Sequence, residues 1–331
     1  MIQSFHLRDI LLVKQLQQVG TPLDIEEQLT QPRSPLRSAL ISKLLMLRAD
    51  SSTFVLNQHT ESASILGLAQ IRARPHQLER DVVFMSPALE TGNGAYVIWQ
   101  RLLNHLCVQT AEQGGLRVFA RLAHESNELQ LFKSVSFSEY CQEEIFQLIP
   151  HERRNMIEPV LKLRRQQHED GWALQKLYAS VAPRQVQLVE GSAQGQWDLP
   201  LQHWSEPGQQ VGYVWEQDGE LLGALHIRVG LLGYWVRALL YHEATDQAEA
   251  LLRTALSLTN NQRHLPVYFA MRQYEAGWLN TLPLLGFEPL ASQVLVVKNM
   301  TVQVRTKTIT GSLPVLSEAP VVGGQTSVLG S

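Results

Sequence analysis

The chain has 331 residues, of which 44% are apolar and 18% charged, and a formal net charge of −3. That suits two globular domains of ordinary size, each able to bury a core, and gives no reason to expect a nucleic acid or other polyanion as partner. No stretch is apolar for the ~18 residues a membrane helix needs, and residues 1–7 lack the basic-then-apolar layout of a signal peptide.

The first elements follow from hydrophobic period and punctuation. A helix is predicted over 9–18, with Asp9 as its N-cap and Gly20-Thr21-Pro22 as its stop. A second is predicted over 34–47, with Pro35 in its first turn. The period then changes: 53–57 and 65–72 read as a strand hairpin and 81–87 as a third strand. A long helix over 95–113 carries Ile98, Leu102 and Leu106 on one face and ends at Gly114-Gly115. A buried strand over 116–122, a helix over 125–134 and strand structure over 137–148 complete this part.

The second part keeps that order. Helices are predicted over 172–180 and 183–190, then strands over 211–215 and 221–229 around Asp218-Gly219, a strong hairpin signal. A strand over 234–241, a helix capped by Asp246 and ending near Asn260, a strand over 265–271, a helix to Leu285 and strand structure over 287–298 follow. From about Val302 the chain is Ser/Thr/Gly/Val/Pro-rich and aperiodic, which predicts a disordered tail over 303–331.

The two parts also match residue by residue. Gly67-Leu68-Ala69-Gln70-Ile71-Arg72 reads against Gly223-Ala224-Leu225-His226-Ile227-Arg228. Phe119-Ala120 matches Phe269-Ala270, Leu102 and Leu106 match Leu252 and Leu256, and 131–137 matches 281–287. The offset from the long helices onward is 150 residues, too long for a solenoid repeat and right for two copies of one domain. The domains are therefore placed at 1–150 and 151–302. The basic residues Arg153-Arg154 and Lys162 to Arg165 read as a solvated linker face.

Helix–helix–strand–strand–strand–helix–strand–helix–strand resembles the GNAT acyltransferase fold in each copy. The predicted class is α/β (α+β), two tandem GNAT-like domains, each a mixed, mostly antiparallel sheet flanked by helices. The closing helix of the family ends in Tyr-x-x-x-Gly-Phe; Phe137 and Phe287 keep the last position and Gly286 keeps the glycine. The resemblance implies acetyl-CoA as acyl donor, held by a splayed strand pair. The third strand would offer its backbone to the pantetheine, and the following helix its N-terminus to the pyrophosphate. In the first copy the phosphate loop is Glu90-Thr91-Gly92-Asn93-Gly94-Ala95, so Met85, Thr91, Gly92, Asn93, Gly94 and Ala95 are the candidate cofactor residues. Glu90 stands where the family has a basic or amide residue. The second copy has His242-Glu243-Ala244-Thr245-Asp246 there, with no glycine and two acids.

The catalytic residues are left open. The family's general-acid Tyr slot holds Phe132 and Leu282, neither of which donates a proton, and its Asn slot holds Glu125 and Glu275, read as helix-start acids. Two functions are carried. One is transfer of an acetyl group to a small-molecule or peptide amine, with any active site in the first copy. The other is a non-catalytic tandem protein acting as a CoA sensor or interaction scaffold. Tyr234 and Trp235 bear on the choice, because side chains aimed into the second splay would fill the pantetheine volume. Trp172, Trp204, Trp215, Trp235 and Trp278 are otherwise read as packing. His124, His226 and His242 lack metal-ligand spacing, and Ser86 and Ser126 lack a nucleophile elbow. Cys107 and Cys141 form neither a disulfide framework nor a metal cage, which points to a reduced, cytoplasmic setting. Oligomeric state is left open.

Overall fold

One sheet runs through both halves of the sequence. The structure, a computed structural model, describes residues 2–44, 51–59, 64–74, 79–150, 159–191, 197, 209–259 and 265–300; the predicted tail lies outside them. The first half contains β1 (Ile2–Ser4), α1 (Ile10–Leu16), β2 (Thr21–Pro22), α2 (Ile25–Thr30), α3 (Pro35–Leu44), β3 (Ser51–His59), β4 (Ser64–Ala73) and β5 (Glu79–Ser86), then α4 (Asn93–Glu112), β6 (Arg117–Ala123), α5 (Asn127–Ser134) and β7 (Ser138–Leu148). The second contains β8 (Arg164–Arg165), α6 (Gly171–Val181), α7 (Arg184–Glu190), β9 (Gln209–Gln217), β10 (Glu220–Val229) and β11 (Tyr234–Leu240), then α8 (Ala248–Leu258), β12 (Val267–Arg272), α9 (Thr281–Leu284) and β13 (Glu288–Asn299).

The strand order is β1-β3-β4-β5-β6-β13-β7-β12-β11-β10-β9-β8. The closing strands are therefore exchanged: β13, from the second half, pairs with β6 of the first, and β7 pairs with β12 of the second. β7 and β13 also pair with each other, at the centre of the sheet. The ladder is antiparallel except at β5–β6 and β11–β12.

Each half is covered on both faces. Leu102, Leu103 and Leu106 of α4 and Leu131 and Phe132 of α5 pack with Leu56, Ala69, Met85 and Val118 in one core. On the opposite face α1 and α3 cover Val55, Leu68 and Phe84. Leu251, Leu252 and Leu256 of α8 cover the equivalent face of the second half, and Leu174 and Leu177 of α6 the other. The repeated leucines 102, 106, 252 and 256 are all buried, as amphipathic helices on a sheet require.

The ends of the helices differ from expectation in instructive ways. Asp9 and Asp246 do not cap α1 and α8: a 3-10 turn precedes each helix, and Asp9 Oδ2 accepts from His6 N instead. Glu125 is not a helix-start acid either; it has φ +59° in the preceding turn, and Ser126 caps α5 by accepting from Leu129 N at 3.1 Å. The closing helices end alike, with Ser136 at φ +68° and Gly286 at φ +81°. In both, the following Phe amide returns to a carbonyl five residues back at 3.0 Å, the Schellman ending that makes glycine the favoured residue there. Lys162 to Arg165 is not simply a linker, since Arg164 and Arg165 form β8 against β9; Arg153-Arg154 lies outside the described residues.

Candidate functional site

β5 and β6 are parallel and paired only at Glu79↔Arg117, Arg80↔Val118 and Asp81↔Phe119. Beyond Asp81 they diverge, which produces the splay the family resemblance implies. The second half repeats it: β11 and β12 pair only from Tyr234↔Val267 to Val236↔Phe269.

The two splays differ at the third strand. In the first half the β4–β5 register shifts between Gln70 and Ile71, leaving Val83 as an extra residue on β5. The β10–β11 register runs without a shift from Gly223↔Leu240 to Val229↔Tyr234. A bulge re-aims backbone groups out of the ladder, and Val83 uses this freedom: its carbonyl accepts from Leu23 N at 2.9 Å.

That bond belongs to β2, which the sequence reading missed. Thr21 pairs with Met85 and Pro22 with Phe84. Met85 and Phe84 are already paired to Ala69 and Gln70 of β4 on their other edge, so β2 lies in the splay. Ala88 N donates to Val19 O at 2.6 Å and Ser86 Oγ to Leu16 O at 2.7 Å. The Leu23 side chain is buried in the core that holds Met85, Trp99, Leu122 and Phe132. Met85 is thus fully buried with a strand on each edge, rather than open along one side. β11 has no counterpart of β2 among the described residues.

The turn after β5 matches its sequence pattern better. Gly92 has φ +140°, a conformation that favours glycine. α4 begins at Asn93, runs 20 residues and has no side-chain cap. Nothing lies within 4 Å of a Cβ built on Gly92 or Gly94. Thr91 and Glu90 are exposed, Thr91 Oγ1 donates to Ala88 O at 2.6 Å, and Ala95 is buried as the first core residue of the helix. Trp99 Nε1 donates to Pro87 O at 2.6 Å, tying the turn to the helix. In the second half a 3-10 segment, His242–Gln247, leads into α8, with a kink at Ala244 and no glycine.

On the α1–α3 face a cleft of about 230 Å3 borders β2, lined among others by Gly20, Pro22, Asp24, Glu27, Arg72 and Val83. Its acids are engaged. Arg72 bonds Asp24 Oδ2 at 2.9 Å and also bonds Glu27. Asp24 Oδ1 accepts from Glu27 N at 3.2 Å, capping α2. Burial works against the charge on Asp24, but Arg72 and Arg121 overrule it and hold its pKa below the usual carboxylate range. Burial prevails at Glu27 and raises its pKa despite Arg72. The sequence signal for this cluster was the Asp24-x-x-Glu27 spacing of a capping box after Pro22.

The remaining candidates have structural roles. Phe132 and Leu282 are fully buried core residues. Glu275 folds back to accept from Arg272 N at 2.9 Å. Tyr234 and Trp235 do not enter the second splay. They sit in the paired part of β11 and on opposite faces, Tyr234 in the α8 core and Trp235 with Ile145 and Tyr268 under Ile25 and Leu29 of α2. Trp172 is exposed, Trp215 and Trp278 are buried, and Trp204 lies outside the described residues. His226 is buried between Gln166 and Gln210 and its pKa is pushed down to about 3 by burial and by Arg237. No metal-binding cluster and no helix long and apolar enough to cross a membrane occur among the described residues.

No protein-family model and no curated protein sequence matches the chain. Solved structures do. A GCN5-related N-acetyltransferase from Sphaerobacter thermophilus superposes with a TM-score of 0.53 over 91% of this chain and 95% of its own, at 9% identity. A tandem GNAT protein from the clavulanic acid biosynthesis pathway gives a TM-score of 0.53 over 91% of this chain and 98% of its own, at 12% identity. The chain has a tandem GNAT fold. At these identities the likeness lies in the backbone: the splayed parallel pairs, the flanking helices and the doubled architecture. The GNAT fold does not by itself assign a reaction.

Proposed function

We propose that the chain is an acyl-CoA-dependent N-acyltransferase that moves an acetyl group to an amine of a small molecule or peptide, with two GNAT-like domains at 1–150 and 151–302 and its cofactor site in the first. One observation carries this reading: the β5–β6 splay leads into a left-handed glycine and an uncapped 20-residue helix with open space around Gly92 and Gly94. Helix amides and dipole favour a phosphate there. Thr91, Gly92, Asn93, Gly94 and Ala95 would hold the pyrophosphate and Met85 would meet the pantetheine. The exposed Glu90 weakens this site without closing it.

The bound cofactor would supply an activated thioester. The chain's own part is positioning: the cleft at Asp24 and Glu27 reaches Val83 from the α1–α3 face, so an amine can approach β5 from the side opposite α4. Placing two reactants side by side supplies much of such a rate. Phe132 gives no proton, so solvent serves the departing thiolate.

Isothermal titration with acetyl-CoA tests the reading, alongside acetyl transfer to a panel of amines. Binding is expected in the wild type and lost in Gly94→Trp, a position where an added side chain meets no protein atom within 4 Å of its Cβ. Absence of heat at millimolar acetyl-CoA would reject it.

A further inference from the structure

We propose that β2 is a self-strand that closes the first cofactor site, so that docking of Thr21-Pro22-Leu23 and binding of an acyl-pantetheine arm exclude each other. This rests on the reading of β5 as the cofactor strand.

Backbone geometry carries the proposal. An edge strand presents a row of donors and acceptors that can be satisfied once. On the splay side of β5 that row is already used, through Thr21↔Met85, Pro22↔Phe84, Leu23 N to Val83 O at 2.9 Å and Ala88 N to Val19 O at 2.6 Å. A pantetheine arm running from the Gly92 turn into the splay would need the same edge of Met85. It would also need the volume of the Leu23 side chain, which is only 7% exposed. The second splay, which has no such strand among the described residues, lacks both the bulge and the glycine turn. The self-strand thus occurs on the half that retains the phosphate turn.

β2 is also built to leave. It is two residues long, and Pro22 has no amide to give to the ladder. Beyond the two ladder positions it is held by the bonds from Leu23 N to Val83 O, Ala88 N to Val19 O and Gln28 Nε2 to Pro22 O, and by the side chain of Leu23. The cleft of about 230 Å3 on its open side, lined by Gly20, Pro22, Val83 and Phe84, gives the segment room to withdraw without disturbing α4. Asp24, held by Arg72, keeps the start of α2 in place and confines the movement to residues 19–23.

A double variant, Pro22→Cys with Phe84→Cys, tests this within one protein. The two residues are directly opposed in the ladder, a separation a disulfide spans. The native Cys107 and Cys141 are buried. Acetyl-CoA affinity is measured by titration in the oxidised and reduced forms, in the wild type and in Leu23→Ala, with circular dichroism confirming the fold. We expect the oxidised form to bind at least tenfold more weakly than the reduced form, and Leu23→Ala at least tenfold more tightly than the wild type. Equal affinity of the oxidised and reduced forms would overturn the self-strand and leave the cofactor reading standing. Binding in none of the four would overturn both.

Discussion

Leu23 gives its backbone amide to the carbonyl of Val83 at 2.9 Å, and Val83 is the extra residue of the β5 bulge. The bulge turns this carbonyl away from β4, and without a partner it would face the splay. The segment between α1 and α2 supplies the partner. In this way a local irregularity in one strand decides where a distant loop is seated.

The Leu23 side chain makes the same seat measurable as stability. It joins the core of Met85, Trp99, Leu122 and Phe132 and is 7% exposed. Leu23→Ala should cost about 2–3 kcal/mol in urea unfolding, the lower part of the range for a buried leucine whose surroundings can relax. A loss under about 0.5 kcal/mol would show that β2 is not docked in solution.

The two halves are also joined by a buried ion cluster. Arg272 of β12 lies 2.7 Å from Glu143 of β7 and 3.1 Å from Glu190 of α7, and all three are nearly inaccessible. Tyr140 and Tyr178 hydroxyls donate to Glu190 as well. Burial alone would raise the pKa of Glu190, but the charges of Arg272, Arg237 and Arg74 bring it to about 2. A carboxylate with a depressed folded pKa stabilises above its unfolded value and loses that contribution as pH falls from about 4.5 to about 2. Arg272→Met would leave two buried carboxylates without their cation, at a cost of about 3–5 kcal/mol at neutral pH. The deficit should shrink as pH falls, because protonation relieves the unpaired carboxylates of the variant while the wild type loses the contribution of Glu190. A deficit in urea unfolding that stays the same from neutral to acid pH would count against the cluster as the joint.

Much of the core was legible because it depends on local pattern. Gly67 and Gly223 recur since a helix lies over each: a Cβ there would meet Ile98 at 2.5 Å and Leu251 at 3.3 Å. Ser136 and Gly286 recur because both closing helices end in a left-handed residue. β2 and α2 were missed because two and six residues carry no period to detect. The exchange of β7 and β13 was invisible for a different reason. Both strands suit either neighbour, and the choice between them is a non-local one. The direction of Tyr234 and Trp235 was left open by the sequence, and alternation along β11 sends them to opposite faces.

Glu275 gives a pH dependence of opposite sign to that of Glu190. Burial raises its pKa to about 7, against the Arg272 backbone amide and the charges of Arg237 and Arg272. Below about pH 4.5 the carboxyl is protonated whether the chain is folded or unfolded. As pH rises towards 7 the unfolded chain ionises first, so stability is lost across that window. Glu275→Gln keeps an acceptor for the Arg272 amide and removes the penalty. It should therefore stabilise the protein by up to about 3 kcal/mol at pH 8 and by almost nothing at pH 4. Urea midpoints at the two pH values check this, and a variant less stable at pH 8 than the wild type would contradict it.

The last prediction concerns how α2, a first-half helix, is held by the second half. Leu232 N donates to Thr30 O at 2.9 Å, and Arg228 Nη1 lies 2.9 Å from Glu26 Oε1. Ile25 and Leu29 cover Trp235 and Tyr268 beside them. Gly230 sits at the tip of the β10–β11 hairpin where the Thr30 carbonyl passes, and a Cβ there would collide with that backbone rather than with a mobile side chain. Gly230→Ala must push the hairpin off the helix, weakening the Leu232 bond and the Arg228–Glu26 pair together. Overpacking of this kind costs about 1–3 kcal/mol. Because Asp24 caps the same helix and borders the first cleft, the effect should not stop at the junction. Hydrogen exchange should accelerate at residues 19–30 as well as at the hairpin, and faster exchange confined to 229–233 would show that α2 is anchored by the first half alone.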